Sequence, residues 1–432
     1  MQKLGLLRSA CVASVFCAAL AVTSPAQSFT TLLSFDGTNG AYPGGLVQGA
    51  DGNFYGITGG GGATNACLKG STVCGTIFEM TPSGTLTTLQ SFSSDCSNGC
   101  GNIGLVQGTD GKFYGTASSG GANGYGTFFS IVPGGTLVTL YSFCSQPNCA
   151  DGYSPKPGLI QGTDGNFYGT TSDNAQPNQC LSGGCGTVFK VTPTGTLTTL
   201  YTFPETSANP PYAPYGPYAG LVQGTDGNFY GTTQYGGNDT CPRGQPLSCG
   251  TVFQMTPGGT LTTLYDFCGQ AGCSDAYNPG GLVLGRDGNF YGTTPLGGDV
   301  ACVAKPYNLP CGGTVFQITP EGTLTTLHRF IGIDGNEPSG VVQGSDGNFY
   351  GTTFFGGANN AGRSSESLRK VLSSLSTTSR KPPRPRVRTR AVWYKPLMGS
   401  FMGQQREAVP VMMARFSAFR LAWAELPLPP RP

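Results

Sequence analysis

The chain contains one histidine, His328, in 432 residues. Mechanisms that need an imidazole beside a serine or cysteine nucleophile therefore have a single candidate base. It stands where other repeats carry Tyr141, Tyr201 and Tyr265, so it reads as a structural substitution in a strand. Charge is scarce as well, with Asp, Glu, Lys and Arg making up 11% of the residues. Residues 27–362 show no helical periodicity. The glycine run Gly59–Gly62 leads into a loop and not a helix, so it does not read as a phosphate cradle, and no cofactor motif is found. No segment is apolar for long enough to span a bilayer. Ala10–Val22 is too short, follows Lys3 and Arg8, and precedes the small-residue site Ser24-Pro25-Ala26. Residues 1–26 are therefore expected to be a secretory signal peptide, and the mature chain to be secreted, extracellular or held at the cell surface.

Repetition is abundant. The refrain G-L-V-Q-G-T-D-G-N-F-Y-G-T-T recurs with small changes at Gly45–Thr58, Gly104–Ala117, Gly158–Thr171, Gly220–Thr233, Gly281–Thr294 and Gly340–Thr353. A second refrain, G-T-V-F-x-x-T-P-x-G-T-L-T-T-L-Y-x-F, begins at Gly75, Gly126, Gly186, Gly250 and Gly313. The Asp-Gly steps are 59, 54, 62, 61 and 59 residues. Each step reads as four strands: Gly45–Gln48, Asn53–Thr58, Gly75–Met80 and Thr85–Phe92 in the first. Asp-Gly and Thr-Pro-x-Gly make the tight turns between the first and second and between the third and fourth. Four short antiparallel strands per repeat predict an all-β fold, a β-propeller of four-stranded antiparallel blades over residues 27–362. Strand parity then puts the two short turns at one end of each blade. The two variable connections fall at the other end, where binding usually resides.

After removal of Cys11 and Cys17 with the signal, fourteen cysteines remain as seven close pairs. Cys67/Cys74, Cys180/Cys185, Cys241/Cys249 and Cys302/Cys311 lie between second and third strands. Cys96/Cys100, Cys144/Cys149 and Cys268/Cys273 lie between fourth and first strands. An even count in an exported chain predicts disulfides, each worth roughly 2–3 kcal/mol. Isolated pairs with one histidine do not make zinc sites, and no metal is expected. All seven bridges should decorate one face.

The refrain followed by G-T-V-F-K-V-T-P-T-G-T-L-T-T-L-Y resembles the GloVer tandem repeat over about residues 29–362. That resemblance implies an exported bacterial protein of a family with varied surface-anchoring C-termini, and supplies no catalytic motif. More distantly, G-L-V-Q-G-T-D-G-N-F-Y is similar to NHL-type and gluconolactonase-type propeller blades.

The repeated Asp residues (Asp51, Asp110, Asp164, Asp226, Asp287 and Asp346) lack the further carboxylates of a calcium loop and read as turn residues. A second set, Asp36, Asp151, Asp275 and Asp334, lies on the variable face, either contacting sugar hydroxyls or cations or capping its own loops. Tyr42, Tyr153, Tyr212, Tyr215, Tyr218 and Tyr277 occupy the same loops, suited to stacking on sugars or gripping a peptide, or to packing on the blade below. The expected function is binding or scaffolding, with a glycan or extracellular peptide as partner. The rival is a lactonase-like or glycan-cleaving propeller enzyme that uses channel carboxylates. Residues 27–362 carry eight Lys/Arg against nineteen Asp/Glu, which argues against nucleic acid. The oligomeric state is left open.

Residues 363–432 are written differently. They hold two of the 70 glycines, no Asp or Cys, and fourteen Lys/Arg against three Glu. One reading is a basic, disordered extension that binds an acidic partner. The genetic code gives another. Combining the third base of each codon with the first two of the next, Trp393-Tyr394 must give Val, and Met398-Gly399 and Met402-Gly403 must give Gly. Met412-Met413 gives Asp and Met413-Ala414 gives Gly. The junctions from Val392 to Ser417 permit L-V-Q-x-T-D-G-K-F-Y-G-T-T and then D-G-T-V-F. Those from Arg363 to Ser379 permit V-F-x-V-T-P-E-G-T-L-x-x-L-Y-x-F. The tail is therefore expected to be a one-base frameshift product. The restored frame plus the lone strand Phe29–Phe35 would make seven blades, left incomplete in this chain.

Overall fold

The computed structural model describes residues 30–62, 75–93, 95–173, 185–204, 214–217, 219–237, 249–298, 312–331, 334–355 and 415–418. The expected signal peptide and nearly all of residues 363–432 lie outside the described residues.

A first strand, β1 (Thr30–Ser34), is followed by sheets in chain order. Blade 1 is β2 (Ala41–Gln48), β3 (Phe54–Gly60), β4 (Thr76–Met80) and β5 (Leu86–Ser91). Blade 2 is β6 (Cys100–Gln107), β7 (Phe113–Ser119), β8 (Thr127–Ile131) and β9 (Leu137–Ser142). In blade 3 the first strand is split into β10 (Tyr153–Pro155) and β11 (Ile160–Gln161), followed by β12 (Phe167–Asp173), β13 (Thr187–Val191) and β14 (Leu197–Thr202). Blade 4 repeats this with β15 (Tyr215–Pro217), β16 (Val222–Gln223), β17 (Phe229–Tyr235), β18 (Thr251–Met255) and β19 (Leu261–Asp266). Blade 5 is β20 (Leu282–Leu284), β21 (Phe290–Thr294), β22 (Thr314–Ile318) and β23 (Leu324–Arg329). Blade 6 has two described strands, β24 (Asn336–Gln343) and β25 (Phe349–Phe355). The last strand, β26 (Arg415–Ala418), pairs antiparallel with β1.

Every pairing within a blade is antiparallel between successive strands, so the fold is an all-β propeller of four-stranded meanders whose ring is not closed. The first strand of blade 1 begins earlier than its refrain does. Ala41 and Pro43 pair with Gly60 and Thr58 across an irregularity before Leu46.

The refrain explains the layering. In blades 2 to 5 the whole F-Y-G-T-T (F-Y-G-T-A in blade 2) of the second strand is buried, because both its faces meet neighbouring blades. Its glycine makes room for the third strand's phenylalanine: a methyl at Gly231 would lie 2.5 Å from the Phe253 ring, and one at Gly292 2.5 Å from Phe316. The threonines after it close the sheet with buried hydroxyl pairs, Thr58–Thr76 at 2.9 Å and Thr171–Thr187, Thr233–Thr251 and Thr294–Thr314 at 2.8 Å.

The core lies between blades. The second-strand Tyr of one blade stacks on the second-strand Phe of the next in Tyr55–Phe113, Tyr114–Phe167, Tyr168–Phe229, Tyr230–Phe290 and Tyr291–Phe349, with ring centres 4.0–4.2 Å apart. Glutamine adds a polar tie. Gln107, Gln161, Gln223 and Gln343 accept from the backbone N–H of Ala50, Thr109, Thr163 and Arg286 in the preceding blade at 2.8–3.0 Å.

Candidate functional site

The tight turns form the regular end of each blade. Asp226 Oδ1 accepts from Asn228 N at 3.1 Å, and Oδ2 accepts from the Tyr230 hydroxyl at 2.9 Å. The same Tyr–Asp clasp occurs at Asp51, Asp110, Asp164, Asp287 and Asp346, at 2.6–2.8 Å. These six carboxylates hold turns.

The variable connections emerge at the opposite end. Disulfides join Cys96–Cys100, Cys144–Cys149 and Cys268–Cys273. Cys185 and Cys249 are also disulfide-bonded, to partners outside the described residues. Cys67, Cys74, Cys180, Cys241, Cys302 and Cys311 lie outside them too. Since the strands alternate in direction, the described cystines and these two cysteines share the end that carries the long loops.

Two cystine loops are built around an aspartate. Asp151 is fully buried and accepts from the Tyr141 hydroxyl at 2.7 Å, Ser145 N at 2.9 Å and Gln146 N at 3.2 Å. Asp275, equally buried, accepts from the Tyr265 hydroxyl at 2.7 Å, Gly269 N at 3.1 Å and Gln270 N at 3.4 Å. Burial and then the carboxylate raise both tyrosine hydroxyls well above their ordinary range. His328 occupies the tyrosine position, with Nε2 3.0 Å from Asp334 Oδ2, while Ile331 N donates to Asp334 at 2.9 Å. Asp36 does the same work in the open, accepting from Thr38 N and Asn39 N. All four expected contact carboxylates cap their own loops, and two of them have no surface to offer a ligand.

The aromatic candidates divide. Tyr212 and Tyr218 lie outside the described residues. Tyr215 is 2% exposed and stacks on Tyr235 with ring centres 5.0 Å apart. Tyr277 lies against Gly297. Tyr42 is 61% exposed and has a left-handed backbone, φ 54°. Tyr153 meets Tyr125 at 5.2 Å with the rings tilted by 58°. Tyr125, 47% exposed, has no counterpart among the expected residues. Its only signal in the sequence is its place in the short connection before β8. Tyr153 pairs across the sheet with Asp173, whose carboxyl is raised by burial against the hydrogen bond donated by Ser172. Two tyrosines and a half-buried acid thus meet at the junction of blades 2 and 3.

Blades 3 and 4 approach each other through glycine beside their first strands. A methyl at Gly220 would lie 2.1 Å from the Gly158 carbonyl oxygen, so backbone meets backbone there. Among the described residues no three His, Cys, Asp or Glu side chains come together in a metal-holding group, and no helix is long and apolar enough to cross a membrane.

The model of the Gloeobacter/Verrucomicrobia repeat matches residues 66–304 and 216–365. The chain belongs to that family. No curated protein matches it in sequence. Among solved structures it is similar to a Penicillium chrysogenum α-L-arabinanase complexed with arabinobiose, at 14% identity over 80% of this chain and 99% of that one, TM-score 0.47. It is also similar to a putative gluconolactonase (13%, 78% and 91%, TM-score 0.42). A putative oxidoreductase (glucose dehydrogenase) from Thermus thermophilus is similar too (15%, 76% and 94%, TM-score 0.40). At such identities the likeness concerns fold alone. In this chain the Gloeobacter/Verrucomicrobia repeat supplies the buried strands, the turn clasps and the glutamine ties. The tyrosines and cystines of the variable end fall between its repeated residues.

Proposed function

We propose that this is an exported propeller that binds an extracellular glycan or, failing that, a peptide on its cystine-bearing face. The observation that carries the reading is the Tyr125–Tyr153 pair beside Asp173, next to the disulfide-bonded Cys144–Cys149 loop that leads into β10. Tilted tyrosine rings present apolar faces with hydroxyl tips, which match the CH faces and hydroxyls of a sugar ring. A half-buried carboxylate with a neighbouring serine adds directional hydrogen bonds. Asp151 and Asp275 take part by fixing the loops from below. Five disulfide-bonded loop sites and an N-terminal segment with the signal pattern support export.

The test is a panel of bacterial cell-wall and plant oligosaccharides alongside a peptide library, followed by calorimetry on any hit. Tyr125→Ala and Tyr153→Ala should each weaken binding by about tenfold, or roughly 1.4 kcal/mol, with the melting temperature little changed. Hits that survive both substitutions would place the contact elsewhere, and turnover of the bound sugar would favour the enzyme.

A further inference from the structure

We propose that the corner formed by Tyr125, Tyr153 and Asp173 takes a protonated amine, and that its ligand is a glycan whose amino sugars carry that amine free. This rests on the glycan reading above and adds the charge of the ligand to it.

Two departures from the repeat coincide at this corner. The first is Tyr125. Between blades 3 and 4 and between blades 4 and 5, the first strand ties a backbone N–H to a disulfide-bonded cysteine, Gly216 N to Cys185 O at 3.1 Å and Asn278 N to Cys249 O at 2.8 Å. Between blades 2 and 3 the same tie runs from Ser154 N to Tyr125 O at 2.9 Å, so a tyrosine stands in the place of the cystine. The second is Asp173. The pairs at this end of the first and second strands are Cys100–Ser119 in blade 2, Tyr153–Asp173 in blade 3, Tyr215–Tyr235 in blade 4 and Asn336–Phe355 in blade 6. Of these, only the blade 3 pair holds a charge. The other blades form the same backbone bonds without either residue, so the fold requires neither. Blade 4 shows the shut version: Tyr215 and Tyr235 stack at 17° and Tyr215 is 2% exposed. In blade 3 the rings tilt by 58° and Tyr125 is 47% exposed, so the corner is open.

The groups at the corner share one electrostatic sign. Burial first, then Asp173 and Tyr125, raise the Tyr153 hydroxyl above its ordinary range, so both phenols and the carboxylate lie within each other's fields. The ring faces add the negative side of the aromatic quadrupole. Nearby donors are already engaged. The Ser172 hydroxyl serves Asp173 Oδ2 at 2.9 Å and Ser154 O at 3.1 Å. Asn123 Nδ2 donates to Phe143 O at 3.0 Å and Ser145 Oγ at 3.2 Å, which ties the Tyr125 connection to the Cys144–Cys149 loop. Asp173 enters no ion pair among the described residues, and the pull of Lys156 on it is the smallest of the three influences it feels. An ammonium supplies what such a corner accepts: a positive charge and three N–H donors, set against ring faces and a carboxylate. The excess of nineteen Asp/Glu over eight Lys/Arg in residues 27–362 draws cations toward the same domain.

Rigidity selects the sugar. A lysine side chain brings the same charge but loses its rotamer freedom when fixed, and two walls do not enclose it. An amino sugar is a rigid ring that carries its amine at the edge of an apolar CH face. That face lies on the exposed Tyr125 ring while the amine meets Asp173. The Asn123 tie and the adjoining cystine hold the two walls in place before the ligand arrives, which lowers the cost of binding.

The test is low-salt calorimetry on the full chain with oxidised cysteines. The probes are a β-1,4-linked glucosamine tetramer, its N-acetylated form, the glucose tetramer of the same linkage, and tetralysine. The glucosamine tetramer should bind at least about tenfold tighter than the other two sugars, as a charge-assisted hydrogen bond allows, and added salt should shrink that lead. Asp173→Asn should weaken it by about tenfold and remove most of the lead. Tyr125→Phe, which keeps the ring, should retain most of the binding that Tyr125→Ala loses. The comparison of amine with N-acetyl on the unaltered chain stands even where a variant folds poorly. Equal binding of the three sugars, or a lead that survives Asp173→Asn, would overturn the inference and leave the glycan reading intact. Tetralysine binding as tightly as the glucosamine tetramer would overturn it in favour of a basic peptide. Silence from these sugars and from the wider panel would end both.

Discussion

A single aspartate in each refrain sets the acid and alkaline limits of the fold. At Asp226, burial pulls the carboxyl upward, but the hydrogen bonds from Tyr230 and Asn228 outweigh it and hold it below the usual range. At Asp51 the Tyr55 hydroxyl is the main cause of the lowering. A carboxylate with a depressed folded pKa stabilises the fold above its unfolded value of about 3.9, and the contribution is lost as pH falls through the folded value. Tyr230 runs the other way: burial, then Asp226, push it up to about 12. That contribution is complete below about pH 10 and is lost as pH rises toward the folded value. Urea midpoints should therefore hold steady from about pH 5 to 9 and drop on either side. The Tyr230→Phe variant should show a smaller acid drop, and an unchanged profile would refute the clasp. The turn was legible in Asp-Gly-Asn because it is local. The tyrosine clasp was not, since its partner is found only when the hairpin folds back. The glutamine tie was further from view, because donor and acceptor lie 52 to 60 residues apart.

At the scale of the element, the cystine loop shows why pairs of cysteines and a following aspartate recur as a unit. The bridge narrows the loop, and the buried carboxylate gathers the N–H groups that the tight path leaves without strand partners. Cys144, Cys149 and Asn148 all adopt left-handed backbone there, which the bridge and the carboxylate hold together. Replacing Cys144 and Cys149 with serine should lower the unfolding free energy by about 2 kcal/mol. The effect on glycan or peptide binding should exceed that of the same change at Cys96–Cys100, whose loop has no buried aspartate. Denaturation and titration of the two double variants would check this, and equal effects would count against it. The pairing by proximity was legible; the aspartate at the loop centre was legible only as one of two options, ligand contact or cap. Geometry shows the cap because burial leaves Asp151 and Asp275 no other partner.

For the whole molecule, stability is distributed over junctions that each bury one Tyr–Phe pair and, from blade 2 to blade 6, one proline. Such a molecule behaves like a repeat array when open and like one cooperative body when closed. Closing the ring should raise the denaturant slope together with the midpoint, because more surface becomes exposed on unfolding. A restored chain with a higher midpoint but the same slope would mean that the added blades fold apart from the rest. Strand order within a blade is where sequence reasoning reached furthest, since repeat spacing and parity carry it. It could not foresee that Tyr215 stacks inward on Tyr235, or that Tyr125 turns outward. Both depend on which neighbouring blade covers the ring.

The sequence alone determined the strands, the turns, the end of each blade that bears the cystines and the family's repeat, because all of these are set by period-two patterning and local turn chemistry. Tertiary structure decided which tyrosines face solvent and which carboxylates are used up in loops. Those outcomes depend on one blade's side chains meeting another's across a junction some sixty residues apart in the chain, a distance at which no local pattern constrains the contact.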